Sequence, residues 1–197
     1  MNYILFDLEA TCWDSKEMSV QPHEIIEIGA AKVDDNADII DTFQTFIKPT
    51  KNPVLSEFCI NLTKIRQFDV DYAPYFSEAL FSFEDWINKT DTKYMMLSWG
   101  YFDRKLIEKE CTDRNYTGNI VEMLKTHRSI KHDFMNMRGV KRCGMERAME
   151  FLGIPLEGTH HRAIDDAMNI AKIFSFILRD WKVWFKNKNK EMRRGEN

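Results

Sequence analysis

Apolar positions cluster at the start of the chain and predict a buried β-strand over residues 3–8. Two further segments, 24–34 and 37–49, also have the composition of strands, and the polar sequence DDNAD between them supplies a turn. Three consecutive strands joined by short connections predict an antiparallel meander.

After residue 50 the apolar residues recur at helical spacing. Ser56 is a candidate N-cap for short helical pieces over 55–67, and residues 73–88 place Phe76, Leu80, Phe83 and Ile87 on one face. Further along, the pattern predicts a strand over 93–100 and helices over 102–110, 145–153 and 163–181, while SIKHDF at 129–134 is compatible with a strand. Residues 111–128 remain unassigned. Strands followed by alternating helices and strands predict an α/β domain with a mixed sheet.

The composition restricts the class of protein. A chain of 197 residues with 44% hydrophobic residues fits one domain, and a formal net charge of −3 does not indicate a polyanion-binding protein. Its apolar runs are too short for a membrane helix, and a strand beginning at residue 3 leaves no room for a signal peptide. Cys12, Cys59, Cys111 and Cys143 form no C-x-x-C pair, which fits a reducing compartment. We therefore expect a cytoplasmic protein.

The segment after Trp181 differs in composition from the rest of the chain. Its basic residues outnumber its acids and are Lys182, Lys186, Lys188, Lys190, Arg193 and Arg194. We therefore expect a folded domain over 1–181 and a basic, flexible tail over 182–197. Such a tail is either simply solvated or is an arm that contacts a polyanion.

Two acids stand at the end of the first predicted strand. Side chains alternate along a strand, so Asp7 and Glu9 point to the same face. A lone D-x-E sequence is typical of a solvated strand end, but the apolar residues directly before it favour burial. Buried carboxylates require a partner, and oxygen ligands of this kind suit Mg²⁺ or Mn²⁺.

Further candidates lie where predicted strands meet loops or helices. Asp103 follows the strand over 93–100, and His161 stands five residues before Asp166 at the start of the long helix. Taken singly, Asp103 is an ordinary acid in the first turn of a helix, and the HHRAIDDA segment is a polar loop with a charged first turn. It is their joint occurrence that indicates a site.

These segments together resemble a known family. FDLEAT, SWGYFD and HRAIDDA, in this order, are similar to the three motifs of the DEDDh (DnaQ-like) 3′–5′ exonucleases of the ribonuclease H-like superfamily. NPVLSEFCINLTKIRQFDV resembles the Eri-type or histone-mRNA 3′-exonuclease branch and its KapD-like relatives, although Lys64 stands where that branch has Gly. The resemblance covers roughly residues 3–178 and implies a ribonuclease H-like mixed sheet flanked by helices.

The resemblance also implies roles for the acids and the histidine. Asp7 would bridge two Mg²⁺ or Mn²⁺ ions, Glu9 and Asp166 would complete one ion site, and Asp103 would support the other. Glu9 is thus both a ligand and a catalytic residue, and His161 would be the general base. The family releases 5′-nucleoside monophosphates from a free 3′ end.

Two questions stay open at this level. Helical periodicity does not decide between Asp165 and Asp166 as the ligand; the family's spacing from His161 favours Asp166. Substrate contacts are expected from the backbone at Ala10 and Thr11, whereas side chains that fit either the terminal nucleotide or the core are Phe58, Leu62, Ile65 and Trp99.

Three functions are compatible with these motifs. The first is a 3′–5′ exonuclease acting on RNA with short or single-stranded 3′ ends, and the FCINLT branch favours it. The second is a DNA proofreading or repair exonuclease. The third is a regulatory nucleic-acid-binding protein that retains the fold, against which the complete set of acids and His161 argues. No protein partner is predicted.

Overall fold

The computed structural model describes residues 1–14, 22–89 and 93–195, with side chains through residue 189. The strands are β1 (Asn2–Ala10), β2 (Ile25–Val33), β3 (Ile39–Phe46), β4 (Tyr94–Ser98) and β5 (Arg128–Ser129). The helices are α1 (Glu57–Thr63), α2 (Gln67–Asp71), α3 (Phe76–Asn88), α4 (Phe102–Asp113), α5 (Ile120–Met123), α6 (Ile130–Arg138), α7 (Met145–Leu152) and α8 (Ala163–Gly195), with a 3₁₀ turn over Leu124–Thr126.

The strands form one mixed sheet in the order β3-β2-β1-β4-β5. β1, β2 and β3 pair antiparallel, whereas β4 is parallel to β1 and β5 is parallel to β4. The predicted meander and the mixed sheet are confirmed. β1 lies at the centre of the sheet, so helices cover it on both faces.

Alternation along β1 divides the core into two layers. Ile4 and Phe6 pack in the layer that contains residues of α3 and α4, and Tyr3 and Leu5 pack in the layer that contains residues of α6, α7 and α8. Because strand side chains alternate with a period of two, the odd-numbered residues after Leu5 point towards the α8 side. This parity directs the two acids of β1 to one helix.

Local signals place the first helices as predicted. The Ser56 hydroxyl accepts the backbone N–H of Cys59 at 3.0 Å and caps α1, and the predicted stripe of α3 is buried. α1 ends at Lys64 in the left-handed conformation, with φ of +59°. Glycine adopts this conformation without strain, which is consistent with the Gly that the resemblance implies at this position.

Residues 129–134 correct one prediction. Strand pairing ends at Ser129, and residues from Ile130 onwards form α6, so the strand interpretation of SIKHDF is wrong for most of its length. The Ser129 hydroxyl accepts the backbone N–H of His132, and Ile130 and Phe134, one turn apart, are both buried. A serine cap and a helical apolar pair therefore outweigh the strand-like composition.

α8 is continuous across residue 181, where the sequence suggests a boundary. Trp181 is buried and stacks on Phe185 with ring centroids 4.9 Å apart, and the Arg128 guanidinium lies 4.4 Å from the Phe185 ring. The side chains of Lys190, Arg193 and Arg194 lie outside the described residues, and the flexible tail over 182–197 stays a prediction. None of the helices described in the structure is both long and apolar enough to cross a membrane.

Candidate active site

Three acids from two elements meet at one end of the central strand. Asp7 and Glu9 come from β1 and Asp166 comes from the first turn of α8, and each offers a carboxylate oxygen within 4.8 Å of the others. They lie in a cleft of about 250 Å³. The cleft is also lined by Leu8, Trp99, Met145, His160, His161 and Ile170. Strand parity and the packing of α8 on β1 together produce this arrangement.

Asp103 adds a fourth acid from the first turn of α4. Its side chain is buried and interacts electrostatically with Asp7, although it is outside the set of three whose oxygens approach within 4.8 Å. Burial raises the pKa of Asp103 to about 6, while the Ser98 side chain and the Leu8 backbone N–H act in the opposite direction. Asp103 is thus held in place by neighbours on β4 and β1.

Asp7 and Glu9 favour the protonated form when no cation is present. Burial, followed by Asp103, Glu9 and Asp166, raises the pKa of Asp7 well above its usual range. Burial, followed by Asp166 and Glu27, raises the pKa of Glu9 to about 8. Within the described residues, no Lys or Arg forms an ion pair with any of these four acids. Clustered buried carboxylates that no Lys or Arg neutralises fit a hard divalent cation such as Mg²⁺ or Mn²⁺.

Both histidines of the HHR segment reach the cleft. His160 Nδ1 lies 3.0 Å from Asp166 Oδ1, and the two imidazole rings stack with centroids 4.0 Å apart. The backbone N–H of His161 donates to Asp166 Oδ2 at 3.1 Å. Burial, and then His160, lower the pKa of His161, which favours a neutral imidazole near pH 7. No site role for His160 was predicted from the sequence, yet its ring contacts the predicted ligand.

Asp165 has a different role from Asp166. Its Oδ2 accepts the backbone N–H of Thr159 at 2.8 Å, and its carboxylate fills the space beside Gly158, whose φ is +76°. A Cβ at Gly158 would lie 2.4 Å from the Asp165 carboxyl carbon. Asp165 therefore closes the turn before α8, and only Asp166 faces the acids of β1, a choice that periodicity left open.

Ala10 and Thr11 lie directly after the acidic pair. The pairing of β1 with β2 shifts register between Glu9 and Ala10, and Ala10 is half-buried. Thr11 is buried, its hydroxyl accepts the backbone N–H of Glu24 at 2.9 Å, and its own N–H donates to the Glu24 carbonyl at 2.8 Å. These bonds fix the backbone at the point where the terminal nucleotide is expected.

The four side chains that fit either the terminal nucleotide or the core differ in how far the structure exposes them. Trp99 lines the cleft, and Phe58 on α1 is exposed, so both are available to a substrate. Leu62 is half-buried. Ile65 is fully buried in a cluster with residues of β2 and α1, which favours the packing role that the sequence left open.

Two further residues near the site were not singled out from the sequence. Glu27 of β2 is fully buried, and its carboxylate is paired with the Arg162 guanidinium directly before α8. The sequence signal for this pair is an acid in the middle of the apolar segment EIIEIGAAKV, together with the arginine of HHRAIDDA.

Comparison with known proteins decides the family. The family model RNase_T, described as Exonuclease, matches residues 4–174. The chain belongs to this exonuclease family. The match extends from β1 into α8 and so includes all four acids and both histidines.

Curated relatives of this exonuclease carry related descriptions. It is 32% identical over 184 residues to the 3′-5′ exoribonuclease 1 of Rattus norvegicus, covering 89% of the chain and 52% of that protein. It is 29% identical over 189 residues to the probable 3′-5′ exonuclease KapD of Bacillus subtilis, covering 90% of the chain and 84% of KapD. The chain thus spans about half the length of the first of these relatives.

A solved structure supports the fold, and the match covers a larger share of that structure than of the rat relative. The nuclease domain of 3′hExo, a DEDDh family member bound to rAMP, superposes on this exonuclease with a TM-score of 0.80 and 31% sequence identity. The match covers 91% of the chain and 92% of that domain. The predicted ribonuclease H-like fold and the resemblance to the DEDDh group are confirmed, and DEDDh exonucleases depend on divalent metals.

Replacing each of the two neighbouring aspartates in turn tests which of them is the metal ligand. Asp166→Asn removes a carboxylate from the acid cluster, and we expect it to weaken Mn²⁺ binding at least tenfold. Asp165→Asn loses only part of a turn contact and should leave Mn²⁺ affinity within about threefold, since an acid in a first helical turn is worth about 0.3–1 kcal/mol. Calorimetric titration of both variants measures this difference. Strong binding by Asp166→Asn combined with weak binding by Asp165→Asn would reverse the assignment.

The raised pKa values predict an unusual pH dependence of the metal-free protein. An acid whose pKa is higher in the folded state stabilises the fold at low pH, and this contribution is lost as pH rises. For Glu9 the loss extends from its ordinary value of 4.5 up to about 8. Glu9→Gln imitates the protonated form, so it should increase the free energy of unfolding at pH 8 by about 2–4 kcal/mol, since a tenfold change in proton affinity corresponds to about 1.4 kcal/mol.

Thermal unfolding in EDTA between pH 5 and pH 8 measures this effect. The wild-type midpoint should fall more steeply with pH than that of Glu9→Gln, and the two should converge near pH 5. Asp34→Asn serves as a control, because Asp34 lies in the turn after β2 and backbone N–H groups lower its pKa. Its curve should run parallel to that of wild type. Parallel curves for wild type and Glu9→Gln would show that the charge of Glu9 does not destabilise the folded protein.

Proposed function

We propose that the protein is a metal-dependent 3′–5′ exonuclease that hydrolyses the terminal phosphodiesters of RNA with short or single-stranded 3′ ends. The products are 5′-nucleoside monophosphates. The observation that carries this proposal is the convergence of Asp7, Glu9 and Asp166 with His161 in one cleft, in a chain of the exonuclease family. These residues come from the two ends of the matched region, β1 and the start of α8.

The acids would hold two Mg²⁺ or Mn²⁺ ions. Asp7 interacts electrostatically with Asp103, Glu9 and Asp166, and this central position suits a ligand shared by both ions. Glu9 and Asp166 would complete one ion site and Asp103 would support the second. Bound there, such ions lower the pKa of an attacking water and stabilise charge on the phosphate and the leaving oxygen.

His161 is proposed as the general base. It lies in the cleft, and its neutral form is favoured, so the ring can accept a proton from water near neutral pH. The contact between His160 and Asp166 fixes the neighbouring ring, on which His161 stacks. The two histidines thus have separate tasks: one orients, and the other transfers the proton.

RNA is favoured as substrate over DNA. The rat relative is described as an exoribonuclease, and the superposed DEDDh nuclease domain was solved with rAMP. Ala10 and Thr11 would approach the terminal nucleotide through their backbone, with Phe58 and Trp99 packing against its base or sugar. A cytoplasmic location is part of the proposal, because all four cysteines are free.

The test is nucleotide release from 5′-labelled linear RNA with Mg²⁺ or Mn²⁺. We expect progressive shortening from the 3′ end and products that carry a 5′ phosphate, whereas circular RNA of the same sequence should be resistant. Asp7→Ala should abolish turnover, because it removes the ligand shared by both proposed ion sites. Efficient cleavage of the circle, release of 3′-phosphorylated nucleotides, or turnover in excess EDTA would contradict the proposal.

Matched variants and substrates complete this experiment. His161→Ala should lower kcat by roughly 10²–10⁴-fold, the usual contribution of a general base, while retaining Mn²⁺ binding. His160→Ala should have a smaller effect on kcat. A single-stranded DNA of the same sequence tests the substrate class, and faster hydrolysis of DNA than of RNA would contradict the preference for RNA.

A further inference from the structure

Glu27 is a buried acid beside the candidate active site that takes no part in the proposed chemistry. It lies on β2 directly opposite Glu9 of β1, and its side chain has no exposed surface. Directly opposite residues of an antiparallel pair point to the same face, and their Cβ atoms are about 4.5–5.5 Å apart. Glu27 therefore stands next to Glu9 on the face covered by α8.

The carboxylate of Glu27 is fully engaged by groups of the protein. Gln44 Nε2 donates to Oε1 at 2.6 Å, and the backbone N–H of Ala163 donates to Oε2 at 3.0 Å. Arg162 adds a bidentate pair, with Nη2 to Oε1 and Nε to Oε2 both at 3.1 Å. One side chain thereby joins β2, β3 and the first residues of α8.

The residues bound by Glu27 belong to the segment that forms the site. Arg162 follows His161, whose φ of +65° turns the chain into α8, and the Arg162 carbonyl accepts the backbone N–H of Asp166 at 2.8 Å. The start of α8 also presses on β2, because a Cβ at Gly29 would lie 2.1 Å from the Ala163 carbonyl carbon. The positions of His161 and Asp166 thus depend on these contacts.

Arg162 is also a potential competitor for the site. Its guanidinium is the basic group nearest in sequence to Asp166, and Glu9 is the cross-strand neighbour of the acid that holds it. A guanidinium forms strong bidentate pairs with carboxylates. If Glu27 carried no charge, Arg162 could pair instead with the acids that are left for a cation.

We propose that Glu27 is a positioning residue that anchors the His161–Asp166 turn and keeps the Arg162 guanidinium away from the metal-binding carboxylates. This deepens the proposed function, on which it rests. Its first effect is geometric and its second is electrostatic, and the two can be separated by changing Glu27 and Arg162 singly and together.

The test is a double-variant comparison of Mn²⁺ affinity, measured by calorimetry without RNA. Glu27→Gln should weaken Mn²⁺ binding about 10–100-fold, the range observed for residues that orient metal ligands. The double variant Glu27→Gln/Arg162→Gln also removes the Arg162 guanidinium, which Glu27→Gln leaves without its partner. It keeps hydrogen-bonding groups at both positions. It should recover part of the lost Mn²⁺ affinity, because no guanidinium competes for the acids, and the part that is not recovered measures the loss of the Glu27–Arg162 anchor.

The control is another buried glutamate that is paired with an arginine. Glu24 is also fully buried and paired with an arginine, Arg114, but its carboxylate binds the backbone of residues 50–52 and not α8. Glu24→Gln should lower the unfolding midpoint and leave Mn²⁺ affinity unchanged. If Glu24→Gln weakens Mn²⁺ binding as much as Glu27→Gln, the effect is a general loss of stability and the proposal fails.

Further outcomes distinguish this proposal from the proposed function. Should Glu27→Gln not fold, Arg162→Lys replaces it: this variant keeps the charge, loses the bidentate pair and should bind Mn²⁺ less tightly than wild type. A double variant that binds Mn²⁺ no better than Glu27→Gln would overturn the electrostatic role. If the variants show the expected order of Mn²⁺ affinities but the wild-type protein leaves RNA intact, the role of Glu27 is supported and only the proposed function is contradicted.

Discussion

The mutual repulsion of carboxylates in one partly buried cleft is the constraint on which the rest of the site depends. Burial and the neighbouring acids raise the pKa of Asp7 and of Glu9, and burial raises the pKa of Asp103. Such an arrangement is unfavourable for the fold alone and becomes favourable when a cation binds. The sheet and its helices therefore hold these acids in an arrangement that a bound ion stabilises.

Buried acids of this protein fall into two groups that differ in what their oxygens contact. Glu24 loses solvation, but the backbone N–H groups of Lys51, Thr50 and Asn52 and the Arg114 guanidinium more than compensate and lower its pKa. Glu9 is almost as buried, yet its pKa rises to about 8 because burial removes water and neighbouring acids add negative charge. A buried carboxylate among other acids indicates a ligand site, whereas one surrounded by donors holds the structure together.

The sequence predicted the elements and acids whose signals are local or belong to a known motif. Parity along β1 placed Asp7 and Glu9 on one face, and the helical stripe of α3 was recognised from spacing alone. The helix at 130–138 was missed because a short segment can suit either state until its cap is seen. The pairing of Glu27 with Arg162 joins positions 135 residues apart, so no local pattern could reveal it. Helical periodicity left Asp165 and Asp166 open and the family's spacing favoured Asp166; the turn at Gly158, which Asp165 closes, adds the physical reason.

The central claim is that the clustered carboxylates are kept for a divalent cation, and proton release measures this most directly. Metal-free protein is titrated with Mn²⁺ at pH 7 in buffers of different ionisation enthalpy. Because binding requires deprotonated ligands, we expect release on the order of one proton per molecule at pH 7, and less at about pH 9.5, where Glu9 is already ionised. Absence of Mn²⁺ binding, or binding without proton release at pH 7, would contradict the account.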